Sequence, residues 1–529
     1  MKVVVADGLS SSALSVLRAN EGWEVDAESG RPREVLLSAV AAADGLIVRS
    51  ATRVDQELLA AAPRLRVIAR AGTGVDNIDL AEASRRGIVV INAPGANSVS
   101  VAEHVFALML ALARSVGAAD GAMKQARWEK KSLVGAELRG KTLGLVGLGR
   151  VGQEVAQRAR AFGMEVVAHD PYIADHVGAD LGVGLVSLDE LCERADYISL
   201  HVPATDATRG LFDAKRLARC KRGVRIVNTA RGELIDEQAL AEALATGQVA
   251  GAGLDVLEKE PPTDWSLVKS PRVVATPHIA ASTAEAQEMV GLDVAASVRD
   301  FLVDGIIGNA VNFPSVPPEE FNRLRPFLAL AERLGLLLAQ MAVGRTEAVG
   351  VRYYGQLAER PSELVANSVM VGLLRPILSG AVSLVNARAV AASRGIEIVE
   401  TRSSRARNFT SLVSVKLHTS EGERWVEGTV FEHGSPRLVL VDGIDIEATL
   451  EGTLLVIRND DQPGVIGEVG TALGRHGLNI ASFSLGRTPA GAVGVVNLDL
   501  SASDTPAMER ALEEIRAAPA VREAWMVRL

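Results

Sequence analysis

Two cysteines, Cys192 and Cys220, are all that a chain of 529 residues contains. That excludes a disulfide framework and a Cys-rich zinc site, and both thiols are expected to behave as small buried residues. No metal site is expected. Aromatic residues make up only 4%, so the cores must rest on Ala, Val, Leu and Ile. Long apolar runs are missing as well. Val105 to Ala113 reaches about half a membrane span. Met1-Lys2 followed by Val3 to Ala6 reads as a strand, not as the apolar centre of a signal peptide. A cytoplasmic protein without a membrane partner is therefore expected. Positive charge is not in excess: the net charge of -9 argues against a nucleic-acid partner, though a local basic pocket for a small anion remains open.

What is present is length and rhythm. The chain is too long for one core, so three or four domains are expected. The first segment alternates short β-rich runs (K-V-V-V-A, G-L-I-V-R-S, L-R-V-I-A-R, I-V-V-I-N-A) with helical stretches, the pattern of an α/β parallel sheet. Val99 to Arg114 reads as one long apolar helix, buried between domains. A second α/β unit runs from Lys141 to about Ile279, and Glu285 to Val303 is again helical. Pro314, Pro317 and Pro318 mark a linker into a mixed α+β segment at 319–450. The last segment, 453–529, predicts the order β-α-β-β-α-β, a ferredoxin-like unit. Together these readings predict two Rossmann-like parallel-sheet domains, a mixed intervening domain and a small C-terminal domain.

G-L-G-R-V-G at Gly147 to Gly152 follows the apolar strand Thr142 to Val146 and opens a helix. Asp170 stands eighteen residues after Gly152, at the end of the next strand. This is the dinucleotide fingerprint in its required context. Gly147, Gly149 and Gly152 let the backbone approach a pyrophosphate at the positive end of the helix. A carboxylate at Asp170 accepts ribose hydroxyls and repels a 2′-phosphate, so NAD is favoured over NADP.

Arg231, Glu260 and His278 lie at or just beyond later strand ends, and the carboxyl ends of a parallel sheet converge on one crevice. Histidine titrates near neutrality and suits the proton of a secondary alcohol. A carboxylate beside it fixes the tautomer, and an arginine binds a carboxylate in bidentate fashion. The segments N-T-A-R-G-E-L-I-D-E, G-L-D-V-L-E-K-E-P and T-P-H-I-A-A-S-T resemble the signatures of the D-2-hydroxyacid dehydrogenase family over residues 1 to about 310. The resemblance implies an NAD-dependent oxidoreductase. In it Arg231 is the substrate arginine, Glu260 the orienting glutamate and His278 the acid/base. Thr229, Ala230 and Asp255 would meet the nicotinamide half of NAD. Thr73, Arg150 and Val151 join the cofactor set. Ala280 stands where that family usually has glycine, which adds a methyl near the nicotinamide.

R-S-A-T, R-A-G-T-G-V-D-N and N-A-P-G-A-N-S resemble the family's substrate loops. They nominate Arg49 for a phosphate, Gly72 and Gly74 as exposed N–H donors to a carboxylate, and Ser50 and Asn97 beside them. The resemblance also implies residues 1–98 with 284–312 as the substrate-binding domain and 99–283 as the NAD-binding domain. I-R-N-D-D-Q-P-G-V-I-G followed by G-L-N-I-A-S-F resembles an ACT domain, a regulatory module for amino acids. Its turns, carrying Asn459, Asp461 and Asn479, are expected at one edge of the sheet as an effector site. A dehydrogenase with a middle domain and an ACT domain resembles the long, phosphoglycerate-oxidising branch of the family. That implies 3-phosphoglycerate as substrate, the first step of serine biosynthesis, and L-serine as effector. A glyoxylate or hydroxypyruvate reductase and a non-enzymatic NAD sensor are the alternatives. Arg402, Arg405 and Arg407 form a basic run, read as a solvated face more than an anion site. The apolar helix predicts a homo-oligomer, dimer or tetramer. Trp128 is the candidate for packing on a partner, and Lys130 or Lys131 for lending charge to its phosphate site.

Overall fold

Four buried residues, Gly45–Val48, form the middle strand of the first sheet, and their all-apolar character suits a strand covered on both faces. The computed structural model describes residues 1–314, 316–360, 363–378, 382–405, 407–489, 491–500 and 505–529. The first sheet contains β1 (Lys2–Val5), β2 (Glu24–Asp26), β3 (Gly45–Val48), β4 (Val67–Arg70) and β5 (Val89–Ile91), all parallel, in the order β2-β1-β3-β4-β5. Asp55 and Asp79 cap two of its connecting helices by accepting the N–H groups of Leu58 and Glu82.

The second sheet contains β6 (Thr142–Val146), β7 (Glu165–His169), β8 (Gly184–Leu185), β9 (Tyr197–Leu200), β10 (Val224–Asn228), β11 (Val249–Leu254) and β12 (Val273–Ala275). Its order is β12-β11-β10-β9-β6-β7-β8, again all parallel. The chain winds outward from β6 through β8 and then reverses to β9, so the switch point of the topology lies at the end of β6. The return helix Ala284–Asp304 runs back to the first lobe, where Val290, Val294, Val298 and Phe301 share a core with Val3, Val5 and Ala69. Two of the strands, β2 and β8, are too short to have stood out in the sequence.

The hinge helix Ser98–Arg114 packs across the second sheet but is not buried on all sides. Val99, Glu103, Ala107, Leu110 and Arg114 form an exposed stripe at helical spacing, with Val99 47% and Leu110 36% exposed. The following helix, Val116–Lys124, turns away by 67° and adds exposed Val116 and Met123. Trp128 is 78% exposed just beyond, beside exposed Lys130 and Lys131. Among the described residues no single helix is long and apolar enough to cross a membrane. Cys192 and Cys220 are both buried.

The third sheet contains β13 (Thr346–Gly355), β14 (Glu397–Ser403), β15 (Ser411–Thr419), β16 (Gly422–Val430), β17 (Pro436–Val441) and β18 (Ile444–Thr449), in the order β14-β13-β15-β16-β17-β18. Only the β13–β14 pair is parallel. Arg407 of the basic run pairs with buried Glu427 at 2.8 Å. The fourth sheet contains β19 (Thr453–Asn459), β20 (Asn479–Thr488), β21 (Gly491–Asp499) and β22 (Val521–Arg528) in the antiparallel order β20-β21-β19-β22. Helices Val465–Arg475 and Thr505–Arg516 cover one face of it, completing the ferredoxin-like unit. Its other face, through Leu454, Val456, Val493 and Val527, joins the core of the middle domain.

The middle domain is built on two helices in unusually close contact, Pro318–Met341 and Glu363–Leu374. A methyl on Gly372 would overlap the carbonyl of Glu332, and one on Gly335 the carbonyl of Val369. Replacing a helical glycine gains up to about 1 kcal/mol in propensity, but overpacking costs about 1–3 kcal/mol, and here backbone stands in the way. Gly372→Val is expected to lower the unfolding midpoint of this domain by about 2–8 °C in scanning calorimetry. An unchanged midpoint would show that the two helices are not held at this approach.

Candidate active site

At the end of β6 the backbone turns at Gly147 with φ +98°, and a Cβ there would run into the carbonyl of His201 at 2.7 Å. Gly152 lies in the first turn of the helix Arg150–Ala161, where a Cβ would overlap the Gly147 carbonyl. Gly149 faces open space. Two glycines therefore close the turn, and the third leaves the helix N-terminus free for an anion. Asp170, after β7, accepts the N–H of Leu148 at 2.8 Å and that of Tyr172 at 2.9 Å. Its carboxylate is thus fixed over the fingerprint loop. Arg150 reaches the carbonyl of Pro94 in the first lobe, and Val151 is half-buried behind it.

Two buried polar atoms around this crevice have no partner among the described residues: Thr229 Oγ1 and His201 Nε2. Burial pushes the His201 ring down to about 4, so it is neutral. A turn without Cβ atoms, a free helix N-terminus and orphaned polar groups fit a bound dinucleotide. His201 was missed in the sequence, although a histidine directly after the strand Y-I-S-L is a strand-end residue like the others.

Arg231, Glu260 and His278 come together at the carboxyl ends of β10, β11 and β12. Arg231 donates to its neighbour Ala230 O at 2.6 Å and to Asp76 of the first lobe at 3.0 Å. A methyl on Gly232 would overlap the Leu257 backbone, which fixes the Arg231 loop against the loop after β11. Glu260 accepts from His278 Nδ1 at 2.7 Å and from Leu257 N–H at 3.1 Å. That hydrogen bond raises the His278 pKa, against burial. Burial works upward on Glu260, but the bonds from His278 and Leu257 outweigh it and hold the carboxyl below its ordinary range. His278 has φ +54°, a conformation a non-glycine residue adopts only when held.

Asp255 does the holding. Its backbone carbonyl accepts the His278 N–H at 2.8 Å, and its carboxylate accepts the N–H groups of Ile279 at 2.8 Å and Ala280 at 2.9 Å. Burial works upward on this carboxyl too, yet His104, Thr276 and the two N–H groups outweigh it, so Asp255 is an anion. The extra methyl of Ala280 is buried at 4% exposure.

The opposite wall comes from the first lobe. Arg49 and Ser50 follow β3, and Gly72, Thr73 and Gly74 follow β4; together with Asn97 they face Arg231, Glu260 and His278 across a cavity of about 830 Å³. Asp7 accepts the N–H groups of Arg49 at 2.5 Å and Thr52 at 3.2 Å, which shapes the Arg49 loop. Thr73 donates to Asn97 Oδ1 at 3.1 Å. Gly72 differs from its expected use as an exposed N–H donor, because its N–H already donates to the Arg70 carbonyl at 2.8 Å. A methyl on Gly72 would overlap the Arg70 guanidinium, and one on Gly74 the Arg231 guanidinium. Both glycines make room for arginines. Arg70 also lines the cavity and was missed in the sequence. Its Nε is buried without a partner among the described residues, and burial, then the nearby Arg231, push its pKa down. The available signal was a charged residue ending the apolar strand V-I-A-R.

In the fourth sheet the expected effector residues do not meet within one chain. Asn459 is buried and donates to Asp460 O, while Asp461 pairs with Arg487 at 2.8 Å. Asn479 pairs in register with Asp499, at the end of the sheet where Thr453 lies. The expectation that the two turns share one edge is corrected. β19 and β20 run parallel, so the end of one and the start of the next are separated by the length of a seven-residue strand, roughly 20 Å.

Residues 106–280 match the family described as D-isomer specific 2-hydroxyacid dehydrogenase, NAD binding domain. Residues 323–442 match the D-3-phosphoglycerate dehydrogenase intervening domain, and 453–520 the ACT domain. The D-3-phosphoglycerate dehydrogenase of Archaeoglobus fulgidus is 42% identical over 530 residues, covering 100% of both chains. That of Mycobacterium tuberculosis strain H37Rv is 43% identical over 506 residues, 95% of each. Among solved structures, the TT0316 protein from Thermus thermophilus matches with a TM-score of 0.54 at 39% identity, over 59% of this chain and 100% of its own. The D-lactate dehydrogenase from Aquifex aeolicus, complexed with NAD and lactic acid, matches with a TM-score of 0.51 at 29% identity, over 60% of this chain and 100% of its own. The chain therefore belongs to the D-3-phosphoglycerate dehydrogenase family, the NAD-dependent D-2-hydroxyacid dehydrogenases that carry an intervening and an ACT domain.

Proposed function

We propose that the protein oxidises 3-phospho-D-glycerate to 3-phosphohydroxypyruvate with NAD, as the first step of L-serine biosynthesis. The observation that carries this reading is the convergence of Arg49, Arg70 and Arg231 with the His278–Glu260 pair on one cavity. A phosphate and a carboxylate together bring a charge of about -2.5 to -3 near neutral pH. Three guanidinium groups gathered on the one cavity that the His278–Glu260 pair also lines suit such a ligand. A glyoxylate or lactate would leave two arginines without a partner, which argues against a simple reductase. An NAD sensor would have no use for the acid/base pair.

In this reading residues 1–98 with 284–312 form the substrate-binding domain, 99–283 the NAD-binding domain, 319–450 the intervening domain and 453–529 the regulatory domain. Arg231 binds the substrate carboxylate and polarises the oxygen on C2. The N–H group of Gly74, with Ser50 and Asn97, orients the carboxylate end, Gly72 leaves room for the Arg70 side chain, and Arg49 and Arg70 hold the phosphate. With Nδ1 engaged by Glu260, His278 presents Nε2 to the C2 hydroxyl and takes its proton; Glu260 stabilises the resulting imidazolium. NAD held in this crevice would supply the acceptor for the hydride leaving C2. Gly147, Gly149, Arg150, Val151 and Gly152 would hold its pyrophosphate, Asp170 its adenosine ribose, and Thr73, Thr229 and Ala230 its nicotinamide half, with the buried Asp255 carboxylate behind them rather than in contact as expected.

His278→Ala is expected to lower kcat by about 10²–10⁴-fold while NADH binding, followed by fluorescence, changes by less than about threefold. Oxidation needs neutral His278, so activity falls as pH drops through its pKa. Glu260 raises that pKa. Glu260→Gln should therefore move the acid limb of kcat/KM to lower pH as well as slow turnover. Near-normal turnover in the His278 variant would rule out the assignment.

Asp170→Ala should raise the KM for NAD and narrow the preference for NAD over NADP, because the charge that repels a 2′-phosphate is gone. Steady-state kinetics with both cofactors measure this. A native enzyme that prefers NADP would contradict the reading.

We further propose that L-serine binds the ACT domain and lowers activity, with the protein acting as a cytoplasmic homo-oligomer. Asp461 and Asn479 lie at opposite ends of the sheet, so a pocket using both needs two copies with their β20 edges antiparallel. Asp461 would take the ammonium group, Asn459 and Asn479 hydrogen bonds, and the N–H groups after Pro463 the carboxylate. The exposed stripe of the hinge helix and Trp128 supply a second apolar surface for pairing, with Lys130 or Lys131 near the partner's site. Sedimentation should give at least a dimer. Titration calorimetry should show serine binding that Asp461→Ala abolishes. Unchanged binding in that variant would put the effector elsewhere.

A further inference from the structure

His104 lies on the inner side of the hinge helix, in a row otherwise made of buried Val101, Val105 and Leu108. An apolar residue would fill that row, yet this side chain is polar, only 17% exposed and directed at the catalytic strands. Its Nε2 is 2.9 Å from Thr276 Oγ1 and 3.4 Å from Asp255 Oδ1. Thr276 donates its one hydroxyl proton to Asp255 Oδ1 at 2.6 Å. Its oxygen is then left to accept, so His104 carries its hydrogen on Nε2 and donates it.

Asp255 thereby collects donors from two directions, Thr276 at the end of β12 and the N–H groups of Ile279 and Ala280 just after His278, while His104 on the helix stands 3.4 Å away and holds Thr276. Its side chain is 0% exposed, so no water can replace a donor that is lost. A dry carboxylate that loses a donor re-forms its remaining bonds or takes up a proton, and either change loosens the grip on Ile279 and Ala280. His278 sits between those N–H groups and its own bond to the Asp255 carbonyl, in the strained φ +54° conformation.

We propose that His104 is a positioning residue for the proposed proton acceptor His278, acting in series through Thr276 and Asp255, and that it ties the hinge helix to the catalytic loop. The inference rests on the reading of His278 given above. It concerns kcat, because the pyrophosphate and adenosine contacts lie at the end of β6, away from this network.

The test uses the full-length enzyme with 3-phosphoglycerate and NAD, comparing His104→Leu, His104→Gln, Thr276→Val and the double variant His104→Leu/Thr276→Val. A glutamine amide can place a donor near the position of Nε2; leucine cannot. His104→Leu is expected to lower kcat roughly tenfold to a hundredfold, the scale of a displaced reacting group, with NADH affinity changed by less than about threefold. His104→Gln should stay within about threefold of native kcat, and the double variant within about twofold of Thr276→Val, since residues in series do not add. Thr276→Val is nearly isosteric and reads the same network should His104→Leu fail to fold. Native kcat in His104→Leu or in Thr276→Val, a glutamine variant as slow as the leucine one, or losses that multiply would each overturn the proposal. Native turnover of 3-phosphoglycerate and its loss in His278→Ala serve as controls. Failure of either control overturns the reading of the site itself, whereas intact controls with unaffected His104 variants overturn this inference alone.

Discussion

A carboxylate without access to solvent, Asp255, organises the ends of the strands that carry the site. Burying a charge is expensive unless every lone pair is met, and here main-chain N–H groups and a hydroxyl meet it, with an imidazole 3.4 Å away. The same residue hydrogen-bonds through its own N–H to the carbonyl of Asn228, at the end of β10. Asn228 in turn braces the Arg231 loop, donating to Arg231 O and accepting from Ala230 N–H. One buried anion therefore reaches both the arginine and the histidine. Neither Arg231 nor His278 is set by its local sequence. Each takes its position from the strand end that Asp255 joins to the next.

Features that depend on neighbours in sequence were legible, and those that depend on distant neighbours were not. The fingerprint turn is local: a strand, three glycines and a helix, closed by Asp170 one strand later. That Arg231, Glu260 and His278 meet was legible because a parallel sheet delivers all its strand ends to one side. Arg70 and His201 occupy the same kind of position, so the rule that found Arg231 would also have reached them. His104 carried no such signal, since only the crossing of a helix over β12 brings it to Thr276. The hinge helix read as apolar throughout, but its repeat leaves Val99, Glu103, Ala107, Leu110 and Arg114 on a face that none of the described residues covers. The ACT turns were misplaced for a geometric reason. Two parallel strands joined by a helix always put the exit of the first and the entry of the second at opposite ends.

The route between the ACT domain and the cavity-bearing lobes is a continuous solid. One apolar core runs from the first sheet through the middle domain to the face of the fourth sheet. Polar links accompany it. Arg424 of β16 pairs with Asp442 at 2.8 Å and with Glu523 of β22, and stacks on Trp525. Tyr353 donates to Glu400 at 2.8 Å, Glu400 pairs with Arg388, Arg388 donates to Asn367 at 2.7 Å, and Asn367 holds the carbonyl of Leu384. Beside Leu384, Ser383 donates to Gly87 O at 2.8 Å and Asn386 to Arg85 O at 3.2 Å, both on the first lobe. That loop packs against the connection between Leu80–Arg85 and β5, and β5 is the edge strand to which the chain leaving the return helix adds its bridge at Ala310. The middle domain thus grips the first lobe on the strand next to β4, which ends in Arg70. A shift of the fourth sheet cannot be absorbed by a flexible linker in this arrangement, because close-packed interiors transmit displacement. Arg70 lines the cavity between the first lobe and the second, so this grip lies one strand away from it.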